Sequence, residues 1–196
     1  MMLGAGTFSY FDDTEVSTGN TFTAGTIDIS LDPTDGQQVE TVDGHLDLKP
    51  CQTGYITITV YNDGQNPCDV WKRIINVENL ENGVVEPEQE YYDSHPNAAG
   101  KKISNHIHFD LSVNDCPLIV EEDGYYLTGA NGVKGYWTYL GEIQPGCSIE
   151  VTQSFHLDKD VGNWGQSDKV TFDEEFFAQQ TVGDPLPDPP APLLDD

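Results

Sequence analysis

Residues 54–61 read Gly-Tyr-Ile-Thr-Ile-Thr-Val-Tyr and alternate without a break. Ile56, Ile58 and Val60 fall on one side, and Tyr55, Thr57, Thr59 and Tyr61 on the other. Alternation at period two, rich in β-branched residues, defines a half-buried strand and gives a helix no apolar stripe. The pattern returns along the chain. Thr26–Leu31 sets Ile27, Ile29 and Leu31 against Thr26, Asp28 and Ser30. Ile103–Val113 sets Ile107, Phe109, Leu111 and Val113 against His106, His108, Asp110 and Ser112. Ile149, Val151, Phe155 and Leu157 share a face, as do Val170, Phe172 and Phe176. Shorter strands are expected at Phe8–Phe11, His45–Leu48 and Tyr136–Leu140, with a hairpin joining Leu118–Val120 to Tyr125–Leu127. Asp69–Val77 is a return strand, and its Trp71, Arg73, Ile75, Val77 face is the better core candidate. Residues 79–102 lack a sustained period and read as a surface excursion with one helical turn around Glu86–Tyr92. About eight to ten short strands with polar loops predict an all-β fold, a jelly-roll-like two-sheet β-sandwich with long loops.

The two ends are different in kind. An apolar strand at the very start of a chain must be tied down, in its own sheet or in another molecule's. The lead Met1-Met2-Leu3-Gly4-Ala5-Gly6 looks like the remnant of a signal peptide followed by a small-residue processing site. From Thr181 onward, five of twelve prolines crowd into 16 residues, which predicts an exposed, acidic, polyproline-like tail.

Charge excludes some partners. With 34 acidic and 8 basic residues the net charge is −26, which repels nucleic-acid phosphates and an anionic membrane surface. Ca²⁺ is the cofactor that the acidic runs Asp12-Asp13-Glu15, Glu121-Glu122-Asp123, Asp158-Lys159-Asp160 and Asp173-Glu174-Glu175 admit. None has EF-hand spacing, and a solvated acidic surface is the simpler reading. Four cysteines allow three pairings into two disulfides, and no C-x-x-C pair suggests zinc. Disulfides in an oxidising, extracellular setting are expected. Cys68 opens one strand and Cys116 closes another that can lie beside it. Cys51 and Cys147 both precede strands after a proline. The expected bridges are therefore Cys68–Cys116 and Cys51–Cys147.

No catalytic residue is identified. The residues His106, His108 and Asp110 sit at alternate positions, so a strand would hold them on one face, where they are the best metal-ligand candidates. The wet face of a half-buried strand explains the same pattern more simply. No His-Glu-x-x-His, no Gly-x-Ser-x-Gly and no phosphate-binding glycine loop is present. Tyr91, Tyr92, Tyr125, Tyr126, Tyr136 and Tyr139 could stack on sugars, though such residues more often serve cores and interfaces.

Three stretches, in order, carry a resemblance. They are Gly6-Thr-Phe-Ser-Tyr-Phe-Asp-Asp-Thr-Glu15 with Ser17–Asp28; Leu48-Lys-Pro-Cys51 through Asn62-Asp-Gly64; and Val161-Gly-Asn-Trp-Gly-Gln-Ser-Asp-Lys-Val-Thr-Phe-Asp173 closing in Ala178-Gln-Gln180. Together they resemble the TasA/camelysin family of secreted biofilm-matrix fibre proteins, and the acidic style with Glu86-Pro-Glu88 is similar to archaeal members. Cys51 departs from the glycine that usually follows the proline. The resemblance implies a secreted, extracellular subunit whose partners are copies of itself, and other matrix proteins or filaments laterally. It implies residues 1–13 as an N-terminal donor strand, 14–25 as a linker, 26–180 as the sandwich domain and 181–196 as the tail. The donor segment would place Phe8 and Tyr10 on one side, and Leu3, Ala5, Thr7, Ser9 and Phe11 on the other, in pockets of the next subunit. Camelysins are also described as cell-surface metalloproteases, which is the alternative. A monomeric sugar-binding sandwich is a third reading.

Overall fold

Alternation becomes pairing in the computed structural model, which describes residues 12–16, 29–32, 53–80, 86–96, 101–120, 124–165 and 168–181. The strands are β1 (Asp12–Val16), β2 (Ile29–Asp32), β3 (Thr53–Asn62), β4 (Cys68–Leu80), β5 (Ile107–Val113), β6 (Cys116–Ile119), β7 (Thr138–Ile143), β8 (Ser148–Leu157) and β9 (Lys169–Gln180). One helix, α1 (Glu86–Ser94), and 3-10 turns at Ile103–His106 and Asn163–Gly165 complete the elements. A smaller sheet runs β1-β9-β4-β7 and a larger one β2-β3-β8-β5-β6, with every strand pair antiparallel. The fold is an all-β sandwich.

The apolar phase of each strand fills the space between the sheets. Ile56, Ile58 and Val60 from β3, Phe109 and Leu111 from β5, and Val151 and Phe155 from β8 meet Val70, Ile74, Phe176 and Ala178 from β4 and β9. Phe155 of the larger sheet lies 5.2 Å, ring to ring, from Phe172 of the smaller. The alternation at 54–61 sets the register, since a slip of one residue would turn the three aliphatic side chains out to water.

Three sequence expectations need correction. On β4 the core face is Cys68, Val70 and Ile74 with Lys72 among them, while Trp71 packs outside against Tyr139 and Phe177. A bulge between Ile75 and Glu78, where Asn76 takes φ 51°, inserts an extra residue and changes the phase. Within it an odd-numbered residue, Val77, packs on the core. Secondly, residues 118–120 do not pair with 125–127. β6 folds back on β5 through Asn114-Asp115, both at positive φ, and Tyr125 and Leu127 bond to Phe109 and Ile107 farther along the same strand. Thirdly, the excursion holds a nine-residue helix rather than one turn. Its opening Glu86-Pro87-Glu88 suits a helix N-terminus, and the Tyr92 hydroxyl donates to the Trp164 carbonyl at 2.8 Å. The strands expected at Phe8–Phe11 and His45–Leu48, and the tail beyond Thr181, lie outside the described residues.

Candidate functional site

A sheet accepts a new strand only along an edge. The smaller sheet ends in β1 and β7, the larger in β2 and β6. β6 has four residues, one of them Pro117, which has no N–H to offer a further strand. β2 commits Ile29 and Leu31 to the core. β1 pairs with β9 from Asp12↔Gln179 to Val16↔Glu175. Asp12 and Asp13, expected at the end of the donor segment, and Thr14–Val16, expected in the linker, therefore form an edge strand of the chain's own sheet. The donor residues Leu3, Ala5, Thr7, Phe8, Ser9, Tyr10 and Phe11 lie outside the described residues.

Next to β1, the β4–β9 ladder carries charge on both faces. Lys72 and Arg73, adjacent on β4, meet Glu174 and Glu175, adjacent on β9. Alternation sends one pair inward and the other outward. Outside, the Arg73 Nε and Nη2 groups both reach Glu175 Oε2 at 2.6 Å, and the guanidinium lies 4.4 Å from the Trp137 ring centre. Nearby, the Tyr139 hydroxyl donates to Asp69 Oδ1 at 2.7 Å. Burial first, and then that carboxylate, push the Tyr139 phenol well above its usual range.

Inside, Lys72 Nζ stands 3.7 Å from Glu174 Oε1, longer than an ordinary charge-assisted hydrogen bond. Gln153 of β8 donates its Nε2–H to the same oxygen at 2.8 Å. The rings of Phe109 and Phe176 flank the amine at 5.7 and 5.9 Å. Lys72, Glu174 and Gln153 are 2%, 3% and 0% exposed. Gln153 Oε1 and Glu174 Oε2 are buried and accept no hydrogen bond. Burial holds the Lys72 amine below its usual pKa, with Glu174 opposing the shift. Sequence reasoning missed this cluster, although its signal was present. A lysine, a glutamine and a glutamate each interrupt an apolar phase, in Val70-x-Lys72-x-Ile74, Val151-x-Gln153-x-Phe155 and Phe172-x-Glu174-x-Phe176.

The metal candidates go to separate neighbours. His106 closes a 3-10 turn and sits edge-on to Trp164 at 5.0 Å. His108 packs against Tyr126 at 4.3 Å, and Asp110 accepts from Ser154 Oγ at 2.5 Å. Among the described residues no three His, Cys, Asp or Glu side chains gather as metal ligands, so the chain there does not fit a hydrolytic metal centre. The acidic run 173–175 is divided between faces, Asp173 accepting from Asn76 and Glu174 turning into the core. Cys68, Cys116 and Cys147 are free thiols. The expected Cys68–Cys116 bridge is absent because Cys68 is buried at the start of β4, in the smaller sheet, whereas Cys116 is exposed on the rim of the larger one. Cys147 is likewise unbridged, and Cys51, its expected partner, lies outside the described residues. Of the tyrosines, Tyr125 and Tyr136 are exposed, whereas Tyr91, Tyr92, Tyr126 and Tyr139 pack on neighbouring rings.

A family model described as camelysin metallo-endopeptidase matches residues 1–117, from the start of the chain into β6. No curated protein matches the chain. No helix among the described residues is long and apolar enough to cross a membrane.

Proposed function

The chain belongs to the camelysin family, and from that premise we propose that it is a non-enzymatic structural subunit of an extracellular filament. The segment Leu3–Phe11 acts as a donor strand that completes a sheet of the next copy. One observation carries this reading. In sequence the segment runs directly into β1, a strand on the rim of the smaller sheet. A chain leaving its own sheet at the rim can enter a neighbour's sheet without unfolding its own core. Ladder hydrogen bonds supply affinity, and the alternating side chains supply register. Such a contact is head-to-tail and does not close, so it builds an open fibre. The partners are copies of this chain, with other matrix proteins or filaments at the sides. Deleting residues 1–11 is expected to leave a soluble monomer by light scattering and electron microscopy. Fibres formed by the truncated chain would overturn the assignment.

The family's description favours a second reading, a cell-surface metallo-endopeptidase. It predicts cleavage of casein that a chelator abolishes. The described residues supply no ligand set for the metal, so no catalytic step is assigned to them.

A further inference from the structure

We propose that Lys72 and Gln153 become joined by an intramolecular isopeptide bond, with Glu174 moving the proton. The inference rests on the interior cluster alone and is independent of filament assembly.

Three features converge. A buried lysine is costly as an ammonium, a cost that the ring faces of Phe109 and Phe176 at 5.7 and 5.9 Å offset only in part. Burial lowers its pKa, which favours the neutral amine, the nucleophilic form. The acceptor is a carboxamide with no exposure to water, so hydrolysis does not compete. One carboxylate oxygen, Glu174 Oε1, contacts both partners, at 2.8 Å from Gln153 Nε2 and 3.7 Å from Lys72 Nζ. A group in reach of both nitrogens can take a proton from one and give it to the other. All three side chains are held on strands of the packed sandwich, so little further ordering is required.

The step balances without a co-reactant. The neutral Lys72 amine attacks Gln153 Cδ, and a C–N bond forms. Glu174 takes a proton from Nζ and delivers it to Nε2. The Cδ–Nε2 bond breaks, and ammonia leaves. The product is a secondary amide whose N–H faces the Glu174 carboxyl. That N–H replaces the one the carboxyl lost with the departing amide nitrogen. The new bond ties β4 of the smaller sheet to β8 of the larger one across the core.

Intact mass spectrometry of the full chain, denatured and reduced, tests this directly. The wild-type protein is expected to be lighter than its sequence by one ammonia. Digestion should give a branched peptide joining Lys72 to Gln153. Lys72→Arg and Glu174→Ala should each restore the sequence mass and the linear peptides. A wild-type chain at its sequence mass overturns the proposal, and that measurement needs no variant to fold. Loss of ammonia mapped to another residue overturns it too. So does loss of one water joining Lys72 to Glu174, which would make Gln153 a bystander.

Discussion

Cys68 shows how a residue's place in the sandwich sets its chemistry. It opens β4 with no exposure to solvent. Burial, reinforced by the nearby charges of Asp69 and Glu142, pushes its thiol up to about 12. The thiolate is the reactive species, so Cys68 is inert at ordinary pH. Cys116, at the start of β6, and Cys147, in the turn before β8, are exposed. A short iodoacetamide pulse at pH 8 is therefore expected to modify Cys116 and Cys147 in the folded protein and to reach Cys68 only after denaturant is added. Peptide mapping reads the result. Protection of Cys116 together with Cys68, released only by reductant, would reinstate the bridge expected between them. The turn chemistry of Asn62-Asp63-Gly64 was legible at this scale because it is local. The Asn62 side chain accepts from Gly64 N–H and donates to the carbonyls of Asn66 and Ile143. That it also ties the β3–β4 loop to β7 was not legible, since Ile143 lies far along the chain.

At the scale of elements, β3 and β5, whose apolar phase is unbroken, and β8 and β9, where a single buried polar residue (Gln153, Glu174) stands in an otherwise apolar phase, were readable because their periodicity is their burial. β4 was misread for two physical reasons. Lys72 interrupts the apolar phase, and the partners that let it stay inside, Glu174 and Gln153, come from other strands. The bulge at Asn76 then shifts the phase midway. The β5–β6 hairpin was missed because its turn is Asn114-Asp115 without a glycine, although both residues take positive φ, 48° and 64°. Asn114 is held there by a backbone bond to Glu150 and by its side chain accepting from Glu150 N–H. Asp115 has only the strain. Asp115→Gly is expected to stabilise the fold by about 0.5–1 kcal/mol, read as a higher urea midpoint at unchanged slope. A lower midpoint would mean that the aspartate makes a contact the turn depends on.

For the whole molecule the decisive quantity is charge. Of only 8 basic residues, Lys72 and Arg73 are buried against Glu174 and Glu175, and because each pair cancels, the net charge of −26 stays with the rest of the chain. Two copies approaching one another bring like-charged surfaces together, and that repulsion extends over a Debye length of about 10 Å at 0.1 M salt. Salt and acid should both relieve it, salt by screening and acid by titrating carboxylates toward the pI near 4.1. Their effects on stability should differ. Salt weakens self-repulsion within the fold and should raise Tm. Acid also meets His106, whose pKa is held below 6.5 chiefly by desolvation, with Lys101 adding and Asp158 and Asp160 opposing. The folded state binds that proton less readily than the unfolded chain. The stability His106 contributes is thus fully present above pH 6.5 and is lost as pH falls through its folded value. Self-association followed by light scattering should therefore accelerate both with added NaCl at pH 7.5 and on acidification toward pH 5. Tm should rise in the first series, and in the second the acid-side loss should shrink in His106→Gln. Association that ignores salt would show that the acidic surface lies away from the contact between copies, and would place the meeting faces on the uncharged parts of the sandwich.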